Sequence, residues 1–136
     1  PWILDNEKMY CWQRYIRLFY PHLKDVEEID PFYFYNLENL IHVMTKQHAL
    51  RAICESYISI LEYEGRFHTD FECLLCENKI NEDISLVRGF LPVHSSCAYA
   101  KAFDINKMKE LFERKKLINF NDQEMEILWD ILLQGL

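Results

Sequence analysis

Apolar side chains recur at three- and four-residue spacing along most of this chain, the period of helices with one buried face. Asp5 or Asn6 can cap a first helix carrying Met9, Trp12, Ile16 and Phe19, with Leu23 continuing the stripe; Pro21 sets its expected end near Tyr20. Asp30-Pro31 is a second helix start, because a carboxylate caps the free N–H groups and proline has none to lose in the first turn. That helix is predicted to reach Lys46, with Tyr33, Leu37, Leu40, Ile41 and Met44 inward. The run Phe32-Tyr33-Phe34-Tyr35 is too aromatic for one face, so some rings must meet another element or a partner. A third helix runs from His48 to Glu64 with Leu50, Ile53, Cys54, Tyr57, Ile58 and Leu61 buried, and Gly65 stops it.

The period then shortens. Ile84 to Val87 and Phe90 to Val93 flank Arg88-Gly89 and read as a short hairpin, with glycine supplying the turn conformation. Ala98 to Phe103 is expected to be a short helix. Asp104 caps another, with Ile105, Met108, Leu111 and Phe112 apolar, and Asn121 with Glu124 forms a capping box for a last helix through Leu133. Its inward residues are Met125, Leu128, Ile131 and Leu132. The pattern predicts a mainly α fold: a single helical domain over 1–136, a bundle with a small zinc-binding β-hairpin insertion at 70–98.

The chemistry concentrates in that insertion. Cys73 and Cys76 have C-x₂-C spacing, and after 17 intervening residues His94 and Cys97 repeat it as H-x₂-C. Zinc takes four soft or borderline donors in a tetrahedron, and a hairpin folding one pair onto the other supplies them. Four protein ligands leave no open position for water, so the expected zinc is structural, one per chain. A redox dithiol is the alternative for Cys73 and Cys76, but such a pair opens a helix in a βαβ setting, and none surrounds it. His68 lies close enough in sequence to compete with His94 as a ligand. Cys11 and Cys54 fall among apolar neighbours on helices and read as small buried hydrophobes.

Composition narrows the class. The net charge is −7, which argues against the whole domain being a basic nucleic-acid clamp. The charge is uneven: residues 101–116 carry Lys101, Lys107, Lys109, Arg114, Lys115 and Lys116 against Asp104, Glu110 and Glu113. These cations are either a solvated face or, more sharply, contacts for phosphates; Lys107, Lys109, Arg114, Lys115 and Lys116 are the candidates for DNA. Arg51 stands in the first turn of its helix, where a cation opposes the macrodipole, so it either meets a carboxylate or serves a ligand. Arg14 and Arg17 share a polar face of the first helix. Three of five cysteines in a metal-type pattern fit a reducing, cytoplasmic compartment, and no apolar run is long enough to span a bilayer. The chain begins with Pro1, so a fragment of a longer protein is expected. No phosphate-cradling glycine loop and no nucleophile-base-acid constellation occurs, so an enzyme is not expected.

The order of these features resembles the C-terminal part of the bacterial DNA repair protein RecO. A helix from Ala49 ending I-L-E-Y-E-G at Ile60 to Gly65 leads into C-L-L-C, a hairpin, H-S-S-C and terminal helices ending Gln134-Gly135-Leu136. The sequence departs from the family in having His94 at the third ligand position, where cysteine is usual, and Glu77 after Cys76, where glycine is frequent. The resemblance implies an oligonucleotide-binding β-barrel (OB-fold) preceding this domain and carrying much of the DNA binding. It implies a recombination mediator that binds single-stranded DNA, anneals complementary strands, contacts RecR and helps to load RecA near the nucleoid. It also implies a helical-domain groove for the acidic, apolar tail of single-stranded-DNA-binding protein (SSB). Arg51 matches the family position used for that tail, with Arg14 and Arg17 as neighbours. The rival readings are a zinc-ribbon module for protein–protein interaction or transcription regulation, and a thiol enzyme using Cys73 and Cys76.

Overall fold

The computed structural model describes residues 2–136. After a 3₁₀ turn at Trp2–Leu4, helix α1 runs Asn6–Arg17 and α2 Phe19–Leu23. The expected single helix is therefore broken at Leu18, and Pro21 lies inside α2. Proline is tolerated there because it sits in the first turn, where its missing N–H breaks no helical bond. Asp5 caps α1 by accepting from Glu7 N and Lys8 N. Helix α1 buries Cys11 and Tyr15, and α2 adds Phe19, while Met9, Trp12 and Ile16 are half-buried. The apolar spacing was read correctly, but the buried face is rotated from it because Tyr15 finds a partner for its hydroxyl in Ser56 at 3.0 Å.

Asp30 caps α3 (Pro31–Val43), as its sequence predicts, and the helix ends earlier than Lys46. Leu40 and Met44 are buried, but Ile41 is exposed, contrary to the expected inward set. The aromatic run divides: Phe32 stacks on Tyr63 with ring centroids 4.0 Å apart, whereas Phe34 and Tyr35 are exposed. Helix α4 (Ala49–Tyr63) is the centre of the molecule and packs against α1, α3 and α7 (Asp122–Leu132). Ten of its side chains are buried, Leu50 to Leu61 among them. Gly65 at φ +71° lets Arg66 N donate to Leu61 O at 2.7 Å, closing the helix with a left-handed cap.

Strands β1 (Ile84–Val87) and β2 (Leu91–His94) pair antiparallel, with Ile84 opposite His94 and Val87 opposite Leu91. Phe90 belongs to the turn, at φ 53°, and not to the second strand. Helix α5 (Ser95–Ala98) is shorter and earlier than the expected helix over 98–103. Tyr99 turns left-handed, and Phe103 then pairs with Ile84 through two backbone hydrogen bonds, extending the sheet where a helix was expected. Helix α6 (Ile105–Arg114) buries Met108, Leu111 and Phe112. Helix α7 opens with the capping box of Asn121 and Glu124 and buries Trp129 besides the predicted residues. Among the described residues no helix is long and apolar enough to cross a membrane.

Candidate metal centre and charged surfaces

The loop after α4 is shaped by backbone bonds before any side chain acts. Ile80 N donates to Phe71 O at 2.7 Å, Cys73 N to Asn78 O at 2.9 Å and Glu77 N to Cys73 O at 2.8 Å. The knuckle closes with Glu77 at φ 65°, a left-handed conformation that a side chain tolerates at a cost. Leu74 N donates to Pro92 O at 3.0 Å, which lays the knuckle on β2. The ligand atoms of Cys73, Cys76, His94 and Cys97 all lie within 4.8 Å of one another. Three sulfurs and one nitrogen at such mutual distances can surround one metal ion. His68 is exposed and is not one of the four; it lines a groove that also reaches Cys73.

The protonation of the cluster agrees with that use. His94 Nε2 lies 3.2 Å from Lys79 O and, as N–H, donates to it. That fixes the tautomer with the Nδ1 lone pair facing Cys76 Sγ at 3.3 Å, the side where a cation would sit. Burial pushes the Cys73 thiol up, but backbone N–H groups of His94, Cys76 and Leu75 outweigh it and bring it down to about 6. Burial and the neighbouring Cys73 and Cys76 push Cys97 up to about 11. Without a cation the first thiolate therefore obstructs the last; a divalent ion lets all three ionise together. Lys79 was not a sequence candidate, and its role is carried by its carbonyl, which no side-chain pattern announces.

The basic candidates are mostly engaged. Arg51 resolves its unfavourable place in α4 by meeting acceptors: its Nη1 donates to Leu117 O at 2.8 Å and its Nη2 lies 3.7 Å from Asp122 Oδ1. Arg14 donates to Tyr10 OH at 2.8 Å on its own helix, and Arg17 is exposed. No hydrogen bond or ion pair joins these three arginines among the described residues. Lys107 pairs with Glu124 at 2.7 Å, Arg114 with Glu110 at 3.7 Å, Lys116 with Glu55 at 3.6 Å, and Lys115 with Glu62. Lys109 is exposed and forms no ion pair among the described residues. Exposed pairs are worth ~0–1 kcal/mol, so a phosphate can still compete for these cations.

One cleft joins cations to apolar side chains. Between α3, α4 and the end of α6 lies a cavity of about 390 Å³ where Leu40, Val43 and Ala52 are interleaved with Asn36, Asn39, Gln47 and Ser59, and Arg114, Lys115 and Lys116 also line it. Glu55 also lines it, occupied by Leu117 N at 2.9 Å and by Lys116. The sequence pointed to the cations but not to the cleft, because α3 and α4 contribute its other side chains jointly from a distance.

No protein-family model matches this chain, and no curated protein matches it either.

Proposed function

We propose that this chain is a non-catalytic docking module of a RecO-like recombination mediator, held in shape by one structural zinc. The observation that carries the reading is the convergence of Cys73, Cys76, His94 and Cys97 after a glycine-terminated helix, in the order that characterises that family. Zinc is favoured over other metals by three thiolates and an imidazole, and such a closed set leaves no position for substrate. In this reading the chain serves DNA repair by receiving the SSB tail, with single-stranded DNA and RecR engaged alongside.

The cleft between α3 and α4 supports a change in which cations serve the tail. An acidic, apolar peptide needs burial for its side chains and charge-assisted hydrogen bonds for its carboxylates. Leu40, Val43 and Ala52 offer the first, and Arg114, Lys115 and Lys116 the second. Arg51 does not line this cleft and meets Leu117 O and Asp122 instead. Lys116→Glu is expected to weaken binding of an SSB-tail peptide at least ~10-fold, about 1.4 kcal/mol, in a calorimetric titration. Because Lys116 is exposed, the fold should survive. An unchanged affinity removes the cleft from the reading.

A further inference from the structure

The basic segment that borders the cleft between α3 and α4 is pinned through a single buried residue. Helix α6 ends with Lys115 in a left-handed cap at φ 59°, and two positions later Leu117 is fully buried. Both backbone groups of Leu117 are taken by side chains one turn apart on α4. Its C=O accepts from Arg51 Nη1 at 2.8 Å, and its N–H donates to Glu55 Oε2 at 2.9 Å. This clamp lays the segment carrying Arg114, Lys115 and Lys116 on α4.

Glu55 does more than clamp. Among the described residues it is the one acidic side chain lining the cleft, and it is 12 % exposed. Its Oε1 lies 3.6 Å from Lys116 Nζ, while Oε2 also accepts from Gln47 Nε2 at 3.5 Å. A main-chain N–H, a side-chain amide and an ammonium therefore converge on one carboxylate inside the cleft. These are the donors that a carboxylate of an incoming peptide requires. The partners of the other two cations, Glu110 for Arg114 and Glu62 for Lys115, lie outside the cleft lining.

We propose that Glu55 determines the specificity of the cleft, as an internal carboxylate that competes with those of the bound peptide for Lys116. The inference rests on the reading of this cleft as the receptor for an acidic, apolar tail. The buried N–H of Leu117 holds Glu55 at the cleft wall, so its charge stays when the ligand arrives. A ligand with one carboxylate meets a lysine already engaged and a like charge beside it. Only a ligand with several carboxylates reaches Arg114 and Lys115 as well, so Glu55 rejects weakly acidic peptides that the apolar side chains alone would admit. Its contact with Lys116 is thus a filter, and its contact with Leu117 is the support that keeps the filter in place.

The test titrates the full metal-loaded chain with the SSB-tail peptide in a calorimeter, comparing the parent with Glu55→Gln and Glu55→Ala. Glutamine keeps an oxygen for Leu117 N–H and removes the charge; alanine removes both. Glu55→Gln is expected to tighten binding ~3–5-fold, the size of releasing one ion pair near the surface. In a Lys116→Gln background that gain should vanish, because the competed cation is gone. A control peptide with asparagine in place of each acidic residue should gain nothing. Glu55→Ala should instead weaken binding and speed exchange of the Leu117 amide, so the two variants move affinity in opposite directions. A purely structural Glu55 would lose affinity in both. If Glu55→Gln binds the peptide no better than the parent, the competition is overturned while the docking reading stands. If neither binds it, both fall.

Discussion

Helix α4 buries ten of its fifteen residues, whereas between Phe71 and Asp83 only Cys73 and Ile80 are buried. The two stretches are almost adjacent in the chain, yet different physics holds them. For α4 the stabilising term is apolar area, about 25 cal/mol per Å² removed from water, collected against α1, α3 and α7. The loop has no comparable area; it relies on a few backbone bonds and on four side chains whose ligand atoms lie within 4.8 Å of one another, a set that could hold one cation. Packing of the helix is spread over many contacts, and loss of one is survivable. The loop's stability is lodged in one centre.

Metal removal should expose this contrast most strongly. Structural zinc binding is worth roughly 10–16 kcal/mol in small peptides, so chelation is expected to free amide exchange across 71–83 and at β2, with α4 far less affected. Equal loss of protection in both regions would break the distinction. Next in size is Ile53→Ala, at a fully buried position of α4. It should cost ~2–5 kcal/mol of global stability by denaturant titration while the metal stoichiometry stays the same. If it also releases the metal, the loop depends on the helix more than the separate accounts allow.

A smaller effect concerns the junction between the regions. Burial pushes the Glu64 carboxyl up, but hydrogen bonds from Tyr33, His22 and Arg66 outweigh it and hold it below the ordinary carboxylate range. A folded value below the unfolded one adds stability above the unfolded value, and that stability is lost as pH falls through the folded one. Glu64→Gln should therefore flatten the acid limb of the stability curve with little change in metal content. An acid limb identical to that of the parent would mean the carboxylate contributes nothing.

Much of this was legible before any coordinates. The caps at Asp5, Asp30, Asp104 and Asn121 act as their residue types dictate, because a cap is a local hydrogen bond. The ligand quartet was equally local in its two pairs. What failed was non-local: Ala98 to Phe103 has helical composition, but Phe103 is drawn into pairing with Ile84. Ile41 has the right spacing and is nevertheless exposed on α3. For Arg51 the sequence left two options, a carboxylate or a ligand; the acceptors it meets, Leu117 O and Asp122, lie more than sixty residues away and could not be named from its own helix.

The central claim is that a single cation organises Cys73, Cys76, His94 and Cys97. Elemental analysis of the purified chain, with native mass spectrometry of the same sample, tests it most directly. The account predicts one zinc per chain, retained at neutral pH and lost in a Cys73→Ser, Cys76→Ser double variant. A well-folded chain carrying no metal, with all its thiols free to titrate, would contradict it.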